Sequence, residues 1–294
     1  MPPDLTLDTP LVLDGGLSNQ LAAQGCDLSD ALWSARLLAD APEQIEAAHA
    51  AYVRAGAQVL ITSSYQATYE GFARRGTGRE EASVLLRRSV ELARSAAAGR
   101  AGVLVAASVG PYGAMLADGS EYRGRYGLSV RELERFHRPR IETLAEAAPD
   151  LLALETVPDV DEAEALLGAV EGVGVPVWLS FSIDGDRTRA GQPLEEAFAL
   201  AAGRDDVVAV GVNCCAPRDA DYAVALAAEV SGKPVAVYPN SGEEWDAEAR
   251  KWAGEVTFEA SRVRDWRAAG ARLIGGCCRV GPGQIAALAE VMRG

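Results

Sequence analysis

The strongest constraint on the fold is a regular alternation of short apolar runs with longer amphipathic stretches. Strand-like runs that begin apolar and end in polar or glycine-rich residues occupy 11–16, 58–65, 102–111, 151–158, 175–183, 207–215, 234–242 and 271–278. Continuous apolar runs of this length are typical of strands that are buried on both faces of a parallel sheet. This pattern therefore predicts a parallel sheet whose strands are separated by helices.

The stretches between and after these runs have helical periodicity. They span 42–56, 80–97, 130–148, 159–172, 193–203, 219–232, 257–270 and 283–294. Eight strands alternating with eight helices is the count of a (β/α)₈ TIM barrel, which typically takes ~250 residues. A doubly wound open sheet is the competing fold, but the G-x-G-x-x-G turn expected after one of its early strands is missing from the sequence. We predict an α/β protein with one (β/α)₈ barrel domain over 1–294.

The charge balance argues against a nucleic-acid partner. The formal net charge is −14, from 42 acidic and 28 basic residues, and no basic stripe is interleaved with aromatic residues. No apolar run approaches the ~20 residues of a membrane helix, and the first residues have neither a basic start nor an apolar leader. We therefore expect a cytoplasmic protein that binds small molecules and no membrane; the sequence does not fix its oligomeric state.

Three cysteines give the sharpest chemical signal. Cys214 falls at the end of the sixth predicted strand, and Cys277 and Cys278 fall at the end of the eighth. A barrel brings the carboxyl ends of its strands to one mouth, where barrel enzymes carry their catalytic groups. Catalytic zinc sites keep three protein ligands and one open position, and thiolates favour zinc over magnesium or calcium. We predict that these cysteines bind Zn²⁺.

Two other interpretations of the cysteines stay open at this point. Free cysteines often serve as small buried hydrophobes, and Cys215 would complete a structural site with four cysteines. Against the latter, neighbours along a strand face opposite sides. The same objection applies to Cys277 and Cys278, for which we expect Gly275 and Gly276 to allow a backbone twist that aims both thiols inward.

Other polar and aromatic residues fall at the same predicted mouth. Asp14 and Glu155 end the first and fourth strands, where paired carboxylates suit an α-ammonium group. Gly15 and Gly16 would let the backbone approach a ligand closely. Aromatic residues of the mouth loops are either packing or a cage for a cation; they are Trp33, Tyr65, Tyr112, Tyr122, Tyr126, Tyr238 and Trp245.

The scarcity of lysine and histidine removes whole reaction classes. Neither Lys233 nor Lys251 ends a strand, so a Schiff-base mechanism has no nucleophile. His49 and His137 fall in predicted helices, which argues against a histidine-dependent hydrolase. Three thiolates leave zinc a weak Lewis acid, and such a site is better suited to holding a substrate thiol as its reactive thiolate than to activating water.

Motifs that run nearly end to end resemble the homocysteine S-methyltransferases, in particular those using S-methylmethionine or S-adenosylmethionine as methyl donor. The motifs include LDGGLSNQL, ALWSARLL, SVGPYGAMLADGSEYRG, LLALETVP, GVNC, YPNSGE and ARLIGGCCR. The resemblance implies zinc ligation by the cysteine of GVNC and both cysteines of GGCC. It further implies that the substrate contacts Asp14, Gly15, Gly16, Glu155 and Asn213, and that the donor contacts Trp33, Tyr112 and Asn240.

The function implied by this resemblance is zinc-dependent transfer of a methyl group from a sulfonium donor to the thiol of L-homocysteine, which forms methionine. No protein acid or base is required, since the donor leaves as a neutral thioether. Other members of the superfamily stay as alternatives, namely a selenocysteine, selenohomocysteine or betaine-type methyltransferase. A non-catalytic sensor that uses the same zinc and thiolates is a further one.

Overall fold

Eight parallel strands form the central sheet of the computed structural model, which describes residues 7–29, 32–246 and 251–293. The strands are β1 (Leu11–Val12), β2 (Val59–Ile61), β3 (Leu104–Val109), β4 (Leu151–Val157), β5 (Val177–Phe181), β6 (Val207–Asn213), β7 (Val235–Tyr238) and β8 (Ala271–Ile274). They pair in parallel in the order β1-β8-β7-β6-β5-β4-β3-β2. A parallel bridge between Leu13 and Val59 joins the first strand to the second. The predicted (β/α)₈ barrel is thereby confirmed.

Helices connect the strands on the outside of the barrel. They are α1 (Leu17–Ala23), α2 (Leu37–Asp40), α3 (Pro42–Ala55), α4 (Tyr69–Arg74), α5 (Arg79–Ala97), α6 (Tyr112–Leu116), α7 (Val130–Glu146), α8 (Val160–Ala169), α9 (Leu194–Ala199), α10 (Pro217–Ser231), α11 (Val263–Ala268) and α12 (Pro282–Arg293). Shorter elements are the 3₁₀ helices Trp33–Arg36, Ser120–Tyr122 and Ala260–Arg262, and the hairpins Ile183–Asp184 with Arg187–Thr188 and Glu244–Asp246 with Lys251–Ala253. In the ranges given above, none of the helices is long and apolar enough to cross a membrane.

Local sequence signals explain where the longer helices begin and end. α7 starts with a capping box in which the Ser129 side chain accepts from the Glu132 amide and the Glu132 side chain accepts from the Ser129 amide. α3 begins at Pro42 and stops at Gly56, whose φ of 105° lies in the left-handed region. These signals place both helices within about two residues of the predicted bounds.

The strands are buried on both sides. Residues that point into the barrel, such as Ala106, Ala209 and Leu273, pack with Trp178 into an inner core. The alternate strand residues pack against the helices in a larger outer core. Trp178 Nε1 donates to Tyr238 Oη at 2.9 Å across the barrel interior. Because side chains fill the interior, a ligand can enter only where the strands end.

Candidate active site

A cavity opens where the strands end at their carboxyl termini. It encloses about 890 Å³ of empty space, a figure that includes its open mouth. Its wall includes Cys214, Cys277, Cys278, Asp14 and Glu155. The structure thus brings together at one place the residues that the sequence predicts as metal ligands and as a carboxylate pair.

The three cysteine sulfurs form a compact cluster. Cys214 Sγ lies 2.8 Å from Cys277 Sγ and 3.8 Å from Cys278 Sγ, and all three sulfurs lie within 4.8 Å of one another. Thiolates this close repel one another unless a cation lies between them. The cluster is therefore a possible metal site, and its soft sulfur donors fit zinc or another thiophilic ion.

A turn at the end of β6 separates Cys214 from Cys215. The strand ends at Asn213, and Cys214 has a φ of 49°, which is rare for a residue with a side chain. The Cys215 side chain is fully buried in the outer hydrophobic core, away from the cavity wall. Burial raises the pKa of its thiol above the ordinary value. Cys215 is therefore a small core residue, and Cys214 alone of this pair joins the sulfur cluster.

Cys277 and Cys278 lie beyond the end of β8, in a turn. β8 ends at Ile274, and the Val280 amide donates to the Cys277 carbonyl at 3.1 Å. The Cys278 amide donates to Asn240 Oδ1 at 3.0 Å. The alternation of side chains along a strand does not extend into this turn, so both thiols can face one point. The sequence-based objection to adjacent ligands therefore does not apply.

The two glycines before this turn have a different role from the predicted one. Neither Gly275 nor Gly276 has a positive φ, so the convergence of the two thiols does not come from a left-handed glycine. A Cβ on Gly275 would instead lie 2.5 Å from Leu13 Cβ, and one on Gly276 would lie 2.2 Å from Val280 Cγ1. Both positions need glycine because neighbouring segments pack against them.

Gly15 and Gly16 also face the cysteine turn. A Cβ on Gly15 would lie 2.2 Å from the Val280 carbonyl oxygen, and one on Gly16 would lie 2.6 Å from the Cys277 carbonyl oxygen. Both glycines line the cavity, as a substrate-binding role requires. Their first structural effect is to let the segment after β1 pack directly on the turn that carries two of the thiols.

Asp14 and Glu155 are buried acids in this cavity, with exposures of 1% and 6%. Asp14 Oδ2 accepts from the Ile61 amide at 2.9 Å, and Glu155 Oε1 accepts from the Ser108 hydroxyl. Burial raises the pKa of Asp14 well above its usual value, and the nearby Glu155 raises it further. Burial likewise raises the pKa of Glu155, to about 7. Two buried acids favour a cationic ligand.

Asn213 lines the cavity, but its amide is engaged within the protein. Its Oδ1 accepts from the Thr156 amide at 2.8 Å and from Ser180 Oγ at 2.9 Å, and its Nδ2 donates to Thr156 Oγ1 at 2.8 Å. Thr156 has a φ of 59° and lies in a bulge between β4 and β5. Asn213 therefore fixes the bulge that presents Glu155 to the cavity.

Two of the three predicted donor residues, Tyr112 and Asn240, do not line the cavity. Tyr112 packs against the rings of Tyr126 and Phe136, with centroids at 5.2 and 4.8 Å, and does not line the wall. Asn240 contacts the cysteine turn through Cys278 and also lies off the wall. Trp33 begins a 3₁₀ helix, and its side chain lies outside what the structure describes.

An aromatic cage that includes Tyr112 and Tyr126 is therefore wrong, because the Tyr112 ring packs against Tyr126 in a tilted geometry and against Phe136 edge-on, off the cavity wall. Tyr65, Tyr122 and Tyr238 do lie on the cavity wall. The Tyr122 hydroxyl lies 3.8 Å from Cys214 Sγ and donates to it. These three tyrosines are the described members of the predicted aromatic set that a ligand in the cavity would meet.

Two polar residues of the cavity wall, Ser63 and Glu121, are not predicted by the sequence analysis. Ser63 is 1% exposed, and within the described ranges neither its Oγ nor Glu121 Oε2 has a hydrogen-bond partner. Burial raises the pKa of Glu121 above its usual value, and the nearby Cys214 thiol contributes to the rise. The available signal was position: Ser63 is the second residue after β2, and Glu121 lies in the long connection after β3.

The chain matches known proteins over almost its whole length. The sequence model of the homocysteine S-methyltransferase family matches residues 11–292. Homocysteine S-methyltransferase of Escherichia coli K12 is 48% identical over 290 residues, which cover 95% of this chain and 94% of that protein. Homocysteine S-methyltransferase 4 of Zea mays is 48% identical over 305 residues, with 96% and 89% covered.

A solved structure gives the same result for the fold. The crystal structure of the metallated form of the homocysteine methyltransferase MmuM from Escherichia coli superposes with a TM-score of 0.87 at 45% identity. The superposition covers 97% of this chain and 96% of that chain. The likeness therefore extends over the whole barrel, including both segments that carry the cysteines.

Proposed function

Because the chain belongs to the homocysteine S-methyltransferase family and is an enzyme that acts on homocysteine, we propose that it transfers a methyl group from a sulfonium donor to the homocysteine thiol in a zinc-dependent reaction. S-methylmethionine is the proposed donor, with S-adenosylmethionine as the second. The observation that carries the proposal is the convergence of three cysteine sulfurs within 4.8 Å on the wall that also holds Asp14 and Glu155.

Cys214, Cys277 and Cys278 would hold the zinc ion. A bound zinc ion supplies a positive charge that lowers the pKa of a substrate thiol, together with an open coordination position for it. Three sulfur donors and the absence of a carboxylate from the compact cluster support a soft ion over magnesium or calcium. The Escherichia coli relative was solved in a metallated form, which supports metal binding in this chain as well.

The buried polar groups fit the amino-acid end of homocysteine. Asp14 and Glu155 would accept hydrogen bonds from its ammonium group, which would compensate two carboxylates that burial otherwise disfavours as anions. Ser63 Oγ, which has no partner among the described residues, would donate to the substrate carboxylate. The substrate thus supplies both kinds of partner that these groups lack.

The reaction needs little from the protein beyond orientation. A bond forms between the homocysteine sulfur and the methyl carbon as the bond from that carbon to the donor sulfur breaks. The bonding electron pair leaves on the donor sulfur, which becomes a neutral thioether, and the thiol proton of homocysteine passes to solvent. Since the leaving group takes no proton, a wall without lysine or histidine among its described residues is sufficient.

An assay of the zinc-loaded protein tests this proposal. Methionine formation from homocysteine is measured with S-methylmethionine, S-adenosylmethionine and betaine in parallel, and Cys277→Ser serves as the metal-deficient control. Turnover with S-methylmethionine that is lost in the variant is the expected result. Turnover with betaine alone would contradict the donor class, and zinc-loaded protein that is inert with every donor would favour the sensor.

A further inference from the structure

The described cavity wall carries more acidic than basic side chains. Asp14, Glu121 and Glu155 line it, and none of its described residues is a lysine, arginine or histidine. Homocysteine brings one ammonium group together with its own carboxylate, so it adds no net positive charge. An amino acid that carries a sulfonium has a net charge of +1, from one ammonium, one sulfonium and one carboxylate. Buried carboxylates without a counter-charge are costly, so the wall favours a ligand with net positive charge.

Glu121 is set apart from the other two acids by its contacts. Asp14 accepts from the Ile61 amide and Glu155 from the Ser108 hydroxyl. Glu121 Oε2 is buried and, within the described ranges, has no hydrogen-bond partner. The side chain next to it, Tyr122, reaches Cys214 Sγ with its hydroxyl at 3.8 Å. Glu121 therefore lies beside the sulfur cluster, on the loop that follows β3.

The backbone around Glu121 is held firmly. A Cβ on Gly113 would lie 2.4 Å from the Glu121 nitrogen, so α6 packs directly against this residue. The amides of Arg123 and Gly124 donate to the Ser120 carbonyl at 3.0 and 3.1 Å. A carboxylate on such a fixed turn is preorganised for a ligand, because little conformational freedom is lost on binding.

We infer that Glu121 is the counter-charge for the cationic methyl donor and that it makes the site prefer a sulfonium over a neutral thioether. This inference rests on the proposed function. The attraction between the Glu121 carboxylate and the donor disappears when the methyl group leaves, because the donor sulfur then carries no charge. The same carboxylate thus favours binding of the donor and release of the demethylated product.

The inference predicts a division between binding and turnover. Methyl transfer neutralises the sulfonium, so the Glu121 carboxylate stabilises the bound donor more than the transition state. Glu121→Gln keeps the shape of the side chain and removes the charge. We expect the variant to have a higher KM for the donor and a kcat that is unchanged or higher, with the KM for homocysteine unchanged.

Calorimetric binding of S-methylmethionine and methionine to the metal-loaded protein tests the inference without turnover when the subsite at Asp14 and Glu155 is first saturated with homoserine, whose hydroxyl replaces the reactive thiol. Glu121→Gln should weaken the binding of S-methylmethionine by about tenfold to a hundredfold. It should change the affinity for methionine by no more than about twofold. Asp118→Asn is the matched control: it removes an exposed charge on the same loop, and its Oδ1 can still accept from the Ser120 amide. Its effect on either ligand should stay below about threefold.

Two results would overturn the inference. The first is that Glu121→Gln weakens the binding of both ligands equally, as a purely structural role would. The second is that the wild-type protein binds both ligands equally well. The proposed function fails in a different way. A wild-type protein that selects the sulfonium over methionine but transfers no methyl group to homocysteine would contradict the reaction and leave the role of Glu121 standing.

Discussion

The Asn213 side chain holds Thr156 at two points, accepting from its amide and donating to its hydroxyl, both at 2.8 Å. Thr156 follows Glu155, and Asn213 precedes Cys214. One amide group therefore joins the end of β4, which carries a carboxylate of the cavity, to the end of β6, which carries a thiol. The relative placement of these two functional groups depends on this contact.

Replacing Asn213 with alanine should lower the free energy of unfolding by about 3 kcal/mol, because it leaves buried partners on Thr156 and Ser180 unpaired. It should also weaken methionine binding, since Glu155 loses its fixed position. Urea denaturation and calorimetry measure the two effects. Ser180→Ala, which removes one of the three hydrogen bonds, should cost about 1 kcal/mol. An Asn213→Ala protein as stable as the wild type would contradict the bracing role.

Substitutions of Cys277 and Cys215 should have different effects on the metal content of the protein. Cys277→Ser removes one sulfur of the cluster, so the ratio of bound zinc to protein after dialysis should fall well below that of the wild type. Cys215→Ala alters only the outer core and should keep full metal content, with a loss of stability of about 1 kcal/mol. Elemental analysis provides the measurement. Metal loss in Cys215→Ala would make Cys215 a ligand.

Gly15→Ala should disturb the cysteine turn, although Gly15 is not part of that turn. The new Cβ would lie 2.2 Å from the Val280 carbonyl oxygen, so the backbone must shift, at a cost of about 2–3 kcal/mol. We expect lower thermal stability together with weaker zinc retention. Gly283→Ala is the control, because its Cβ would meet open space near the start of α12. If both variants retain zinc equally well, the packing of Gly15 does not control the turn.

Methionine binding should tighten by about tenfold between pH 6 and pH 8. The pKa of Glu155 is raised to about 7, so its carboxyl group is mostly protonated at pH 6 and ionised at pH 8. Only the ionised form attracts the ligand ammonium. Methionine is the right probe because it has no thiol that titrates in this range. Glu155→Gln should flatten the curve; an unchanged slope in that variant would assign the titration to another group.

The barrel could be predicted because strands that are buried on both faces have continuous apolar runs in the sequence. The residues at which the strands end could not be predicted. The predicted runs 207–215 and 271–278 stop in the structure at Asn213 and Ile274, because their last residues form turns at the mouth. The turn that carries Cys277 and Cys278 is held by a hydrogen bond that the Cys278 amide donates to Asn240 Oδ1, a contact between distant residues that local periodicity cannot predict.

Residue type also says little about whether a polar group is free to bind a ligand. Asn213 and Asn240 were predicted to contact substrate or donor, yet their amide oxygens accept hydrogen bonds from the protein backbone. Glu121 and Ser63 gave no sequence signal beyond position, and their buried polar atoms lack a partner among the described residues. The direct contacts of the predicted site residues with ligands, the cytoplasmic location and the single domain over 1–294 stay predictions.

The ribosome makes Cys214 well before the other two cysteines of the sulfur cluster. Cys277 follows Cys214 by 63 residues, and the turn that carries it is held by hydrogen bonds with β7 and the segment after it. A nascent chain that has emerged from the ribosome only as far as β7 offers a single one of the three sulfurs. A metal ion held by all three sulfurs would therefore be captured late, only when β8 is in place to close the barrel.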